Sequence, residues 1–308
     1  MFCLEKSGIV RFLGIDNLFD YNLGEQMHLV SRLLFKFSIV TLIIMSPQLV
    51  AAQETRRVHL QARLVEKGPV LKDGVEWRVF SKKNSATNSE FDELAFSKNG
   101  VQIFNLQPGE YYVHASFDHT AAIKKILVSN KSIVEEFILH AGGLKLSATA
   151  TGDVPIPSRL LRFDVYEKKI GENGTRKQLA QNIKPGEILA FPVGTYHVVS
   201  HFGDLNATVR ADIRIQLGKM TEASLQHRAS IMTFRLVRQA GGDGVADTAW
   251  SILAENGEVI RESTSTFPSM VLAEGNYTAI AKHNDNVYSQ DIKVVSGFNS
   301  DIEVIVPN

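Results

Sequence analysis

Phe104-Asn-Leu106-Gln-Pro-Gly109-Glu-Tyr111-Tyr-Val113-His-Ala115, Leu189-Ala-Phe191-Pro-Val-Gly194-Thr-Tyr196-His-Val198-Val-Ser200 and Met270-Val-Leu272-Ala-Glu-Gly275-Asn-Tyr277-Thr-Ala279-Ile-Ala281 are three versions of one pattern. Each reads as an alternating strand, a tight turn with glycine, and a second strand that opens on tyrosine. Gly109, Gly194 and Gly275 are expected to supply a positive φ in the turn. Period-two alternation puts Tyr111, Tyr196, Tyr277 and the small apolar residues after them on one buried face. The tyrosines fall 85 and 81 residues apart, which marks repeats of about 80–87 residues.

The surroundings of each motif agree. Upstream lie the alternating strands Val75-Glu-Trp77-Arg-Val79, Leu161-Arg-Phe163-Asp-Val165 and Thr248-Ala-Trp250-Ser-Ile252. Downstream, two short strands surround a turn at Asn130, Gly218 or Gly297, and the last strands are Ile133–Leu139, Ala223–Leu225 and Ile302–Val306. No long helical period occurs. The expected fold is all-β, with three tandem antiparallel β-sandwich units of immunoglobulin-like or prealbumin-like type over residues 55–142, 143–229 and 230–308. Length alone, 308 residues, suggests two domains; the periodicity gives three. The polar stretch Ser81–Glu90 reads as a surface loop joining two strands. Phe91, Leu94 and Phe96 beside it offer a partner-binding alternative.

The hairpin of Leu or Phe, two residues, Gly, one residue, Tyr and a valine-rich strand resembles the transthyretin-like, carboxypeptidase-regulatory-like class of β-sandwich modules. The resemblance implies an accessory, spacer or binding module of an exported protein, and it brings no catalytic residue to carry over.

Residues 1–52 read as an upstream extension and an export signal. Between Glu25 and Glu54 there is no acidic residue; Met27, Arg32 and Lys36 precede an apolar run, and Val50-Ala51-Ala52 precede Gln53. Positive start, short apolar core and small residues at −3 and −1 make a signal peptide, with Met27 as the start and cleavage after Ala52. A retained signal anchor is the alternative. The single cysteine is Cys3, so the chain beyond Ala52 has none. An exported, cysteine-free chain fits the periplasm or surface of a Gram-negative bacterium. Membrane contact is expected only through the signal segment before cleavage.

Thirty-three basic and 33 acidic residues leave a formal net charge of zero, which argues against nucleic acid as a partner. No phosphate loop, nucleophile elbow or zinc-protease motif occurs, and the glycine runs 171–174 and 241–244 read as hairpin turns. No catalytic, cofactor-binding or metal-binding residue is nominated. His197 and His201 share a strand face, but four positions along a strand put them roughly 13 Å apart, too far to share a zinc ion. They and His114 read as surface histidines.

The loops after the tyrosine strands carry the candidate binding residues: Phe117, Asp118 and His119; Phe202 and Asp204; His283 and Asp285. They fall at matching positions, at one end of each sandwich, where binding residues commonly sit. Their bland reading is turn chemistry. The functional expectation is a non-enzymatic scaffold or adaptor for an envelope protein partner. The alternative is a small-ligand or glycan binder using Tyr112, Phe117, Phe202 and Tyr288.

Overall fold

Alternating apolar residues make strands along the whole described chain, residues 54–82 and 90–307 of a computed structural model. The expectations for residues 1–52, including Met27 and the cleavage after Ala52, lie outside the described residues. The first repeat contains β1 (Arg56–Arg63), β2 (Glu76–Lys82), β3 (Phe91–Lys98), β4 (Gln102–Leu106), β5 (Gly109–Phe117), β6 (Thr120–Val128) and β7 (Ile133–Ile138). The second has β8 (Ala141–Ala150), the short β9 (Val154–Pro155), β10 (Leu161–Ile170), β11 (Arg176–Ile183), β12 (Ile188–Pro192), β13 (Gly194–Phe202), β14 (Thr208–Ile215) and β15 (Met220–His227). The third has β16 (Ala229–Val237), β17 (Ala249–Ala254), β18 (Val259–Ser263), β19 (Ser269–Ala273), β20 (Gly275–His283), β21 (Asn286–Val294) and β22 (Ser300–Ile305).

Each repeat is a sandwich of two sheets with one shared order, a three-stranded one and a four-stranded one, the smaller sheet of the second repeat being extended by the short β9 on β8. The orders are β4-β1-β7 over β3-β2-β5-β6, β12-β8-β15 over β11-β10-β13-β14, and β19-β16-β22 over β18-β17-β20-β21. The fold is all-β, three β-sandwiches in series. Inward residues of both sheets form one core per repeat. Trp77 and Phe137 meet edge to face in the first, Phe163 and Phe191 fill the second, and Phe234 packs on Trp250 in the third.

The sheets are not wholly antiparallel. The last strand of each repeat runs parallel to its first: β7 along β1, β15 along β8 and β22 along β16. The short β9 aside, seven strands that reverse direction at every connection bring the seventh back in the sense of the first. A further expectation changes. Ser81 and Lys82, read as the start of the surface loop, end strand β2, and Phe91–Lys98 form edge strand β3 paired with it; residues 83–89 lie outside the described residues. Residues 241–244 lie in the connection between β16 and β17, strands of different sheets, yet they reverse the chain locally, with an antiparallel bridge between Val237 and Gly244; residues 171–174 join the antiparallel pair β10 and β11.

The turn-tyrosine motif has a different physical basis from the one its glycine suggested. Gly109, Gly194 and Gly275 are not among the glycines with positive φ. The constant feature is the tyrosine hydroxyl, which donates to the carbonyl four residues back: Tyr111 to Gln107 at 3.0 Å, Tyr196 to Pro192 at 2.8 Å and Tyr277 to Ala273 at 2.9 Å. Each ring is buried, so the phenol closes the turn across the sandwich edge while satisfying its own polar atom. Burial raises the pKa of all three. A Cβ on the three glycines would meet the tyrosine ring or hydroxyl at ordinary contact distances of 3.5, 3.4 and 3.6 Å.

Replacing any of the three tyrosines by phenylalanine is therefore expected to lower unfolding stability by about 1 kcal/mol, the worth of one buried hydrogen bond. Gly109→Ala, Gly194→Ala and Gly275→Ala are expected to cost less than the Tyr→Phe change in the same motif. Urea unfolding of both series checks the ranking, and a costlier glycine series would return the motif to backbone strain.

Candidate functional site

The candidate loops are the connections β5–β6, β13–β14 and β20–β21, and two of them are joints between sandwiches. At the first joint the Asp118 carboxylate accepts a 2.9 Å hydrogen bond from the Ala190 N–H, and the His119 N–H donates to the Ala190 carbonyl at 3.1 Å. The His119 ring stacks on Phe191 with centroids 4.5 Å apart. Ala190 lies on edge strand β12, whose unpaired backbone groups would otherwise face water. Asp118 holds a left-handed φ of 48°, which aims its side chain at the next repeat. Burial pulls the His119 pKa below its ordinary value, against the opposing pull of Asp118 and Glu187.

The second joint repeats the arrangement with other residues. The Asn206 carbonyl oxygen accepts from the Ala273 N–H at 3.0 Å, and its amide donates to the Tyr277 hydroxyl at 2.8 Å. Asp204 pairs with Arg261 of the third repeat. Gly203 sits against Val271 so closely that a Cβ there would come within 2.8 Å of the valine. Phe202 is buried in the core of its own sandwich.

Each joint also has a second contact, made by the turn before the last strand. Gly218 lies over Val65 of the first repeat, and Gly297 over the Thr151 carbonyl of the second. At the second joint the Thr151 and Ser296 hydroxyls are 2.6 Å apart.

The third loop stands apart from this scheme. The His283 ring faces the Asp247 carbonyl of its own sandwich at 3.3 Å and meets the Asn284 amide at 2.9 Å. Asp285 is exposed, 3.8 Å from Lys282. The seven candidate residues are thus not brought to one site. Tyr112, Phe117, Phe202 and Tyr288 do not form a shared platform either: Tyr112 lies on an outer sheet face against Phe91, while Phe202 is buried and Tyr288 packs on the third core.

The histidines of the second sandwich are paired and half-buried, where the sequence suggested open surface. His197 meets Asp212 at 2.9 Å and His201 meets Asp164 at 3.1 Å. They take different carboxylates on different neighbouring strands, in line with their separation along β13. Among the described residues no group of three or more His, Cys, Asp or Glu could hold a metal ion.

Sequence reasoning passed over His227. It is the last residue of β15, fully buried beside the second joint, with Nε2 2.7 Å from the Ser200 hydroxyl and Phe202 packed edge-on. The serine–histidine pair is sealed from solvent, and Nδ1 of the ring is buried without a partner. It has no third group to orient it and no access for a substrate, so its geometry is structural. Burial first, then the neighbouring His201, push its pKa down from 6.5 to about 4.

A family model, the Rhizobiales growth-associated tandem repeat domain, matches residues 231–306. The match falls on the third sandwich. No curated protein matches the chain. Among solved structures, the Bacillus anthracis TIE protein aligns at 17% identity and a TM-score of 0.25, over 82% of this chain and 50% of that one. This chain thus spans half the length of that protein. The minor pilin GBS52 of Streptococcus agalactiae aligns at 13% identity and a TM-score of 0.31, covering 56% of this chain and 95% of that one. A streptococcal ancillary pilin gives 14% identity and 0.29, covering 82% and 99%.

His227 sets an acid limit on stability. The unfolded imidazole titrates near 6.5 and the folded one near 4, so the unfolded chain binds the proton more tightly. Its contribution is intact above pH 6.5 and is lost progressively as pH falls toward 4, by about 3 kcal/mol in all. His227→Gln is expected to flatten that part of the profile in urea unfolding between pH 7.5 and pH 4. Parallel losses in both proteins would place the acid sensitivity elsewhere.

Proposed function

We propose that the protein is an exported, non-enzymatic scaffold that binds a protein partner in the bacterial envelope. The observation that carries this reading is the outer face of the first sandwich's four-stranded sheet. Cross-strand register sets Phe96, Arg78, His114 and Ile123 in one row and Phe80, Tyr112 and Lys125 in the next. Phe96, Ile123 and Leu127 are 51%, 70% and 65% exposed. Phe91 meets Tyr112 edge to face at 5.0 Å, and the Arg78 guanidinium lies 4.9 Å over the Phe96 ring. Charges on the face are paired locally, Arg78 with Glu93 and Lys125 with Glu110.

The same face of the second sandwich carries Asp164, His197, His201, Arg210 and Asp212, and that of the third carries Ser251, Thr278, Ser289 and Asp291. The first sandwich gathers three aromatic rings, Phe91, Phe96 and Tyr112, with exposed Ile123 and Leu127 and locally paired charges, whereas Tyr166 and Val199 on the second and Leu253, Ile280 and Val287 on the third stand among polar side chains. The first face has the composition best suited to protein association. The signal-like segment, the cysteine-free chain beyond it and the transthyretin-like resemblance support an envelope location, periplasmic or at the surface. The Rhizobiales description of the matched repeat supports a Gram-negative source, and its growth-associated wording directs the test to growing cells.

A second reading has its own observation. A cleft of about 410 Å³ between the first two sandwiches is lined by Val65, Pro69, Leu71, Phe117, Ile188 and Met220. Its size and apolar walls suit a small apolar ligand.

Crosslinking in growing cells tests the first reading. A specific partner is expected with the native protein and is expected to be lost with Phe96→Ser and Tyr112→Ser, while thermal unfolding stays within a few degrees. Capture that survives both substitutions would overturn the assigned face. Thermal stabilisation by fatty acids, removed by Met220→Lys, would favour the cleft.

A further inference from the structure

The three repeats share one topology, so the residues that build the internal joints have counterparts on the two outward ends. We infer that these ends are closed: Asn105, Asn130 and His283 keep a second copy of this chain from docking head to tail.

The joint needs three things. It needs a small apolar residue on the receiving edge strand, a glycine in the turn before the last strand, and an aromatic residue followed by a turn that offers its acceptor outward. Ala190 and Val271 fill the first role and are only 4% and 3% exposed under the preceding loop. Counting back from Gly109, Gly194 and Gly275, the first repeat has Asn105 at this place, and Asn105 is exposed. A copy docking here would bury the amide on a strand edge, a desolvation cost with no partner supplied by the joint.

The turn glycines are required by close approach. A Cβ on Gly218 would lie 3.1 Å from Val65, and one on Gly297 would lie 2.9 Å from the Thr151 carbonyl. Their counterpart in the first repeat is Asn130, whose side chain would occupy the space that a preceding sandwich must fill. Its carbonyl is already taken by the Arg56 guanidinium at 2.8 Å.

At the other end His283 stands where the joints have Phe117 and Phe202, six residues after the motif tyrosine. Its loop keeps the left-handed turn, with φ of 46° at Asn284 and 62° at Asp285. Three of its side chains bond within their own sandwich, His283 to the Asp247 carbonyl, the Asn284 amide to His283, and the Asn286 amide to the Asn284 carbonyl at 3.3 Å, while Asp285 lies exposed beside Lys282 of β20. In the joints the same loop reaches outward: Asp118, at the position of Asn284, and Asn206, three residues further along a longer loop, each accept from a backbone N–H of the next sandwich. Terminal units with polar outer faces are what keeps a repeat array from growing, and a head-to-tail contact that does not close would otherwise propagate into fibres.

Sedimentation velocity across a wide concentration range tests the inference. The native protein is expected to remain monomeric, and the variant carrying Asn105→Val, Asn130→Gly and His283→Phe is expected to self-associate about tenfold more tightly or better, as open chains. All three positions lie outside the cores, and circular dichroism checks that the fold is kept. A second measurement uses one opened end per protein. His283→Phe protein mixed with Asn105→Val/Asn130→Gly protein is expected to give mixed dimers and nothing larger, with crosslinks between the β20–β21 loop and β4. Native protein that associates through these faces would overturn the inference. So would opened variants that associate no more tightly than the native chain.

Discussion

Everything in this architecture depends on the parallel pairing of the first and last strands of each sandwich. Because β1 and β7 lie side by side and point the same way, the chain enters a repeat at one end and leaves it at the other. Only Leu139 and His140 separate β7 from β8, and only Arg228 separates β15 from β16. Connections this short leave little room for an independent hinge, so each sandwich must be docked by its neighbour's loops. The joints are consequences of that strand order.

Docking in turn solves a difficulty that small sandwiches share. Edge strands β12 and β19 carry backbone donors that invite unwanted pairing. The preceding repeat covers them with a turn whose side-chain oxygen accepts one of those donors, from Asp118 in one case and Asn206 in the other. A polar turn residue and an exposed edge, each a liability alone, satisfy one another. Each joint also has a histidine beside it: His119 stacks on Phe191 at the first, and at the second the carbonyl of buried His227 accepts from the Ser296 hydroxyl.

The repeat itself was plain in the sequence, because Tyr111, Tyr196 and Tyr277 each follow a glycine by two residues and open a strand of largely alternating apolar residues. The reason for the motif was not plain. A glycine before a tyrosine suggests backbone freedom, whereas the hydroxyl reaching back four residues is a three-dimensional fact without a spacing signal of its own. The joints were illegible for a similar reason: Asp118, Gly203 and Asn206 have the composition of any hairpin turn, and only the neighbouring sandwich shows what their side chains are for. Comparing the repeats by position would have flagged Asn105 and His283 as departures. His227 leaves no trace, since a histidine ending an alternating strand looks the same whether its ring is buried or wet.

The strand order also determines how the array would carry load. Tension along the series would pull the first and last strand of each sandwich in opposite directions along their shared length. Their ladder of hydrogen bonds, running from Val58 beside Ile133 to Arg63 beside Ile138, would then be strained together in shear and not peeled open one bond at a time. The same parallel ladder occurs in all three sandwiches, so each would meet such a load in the same way.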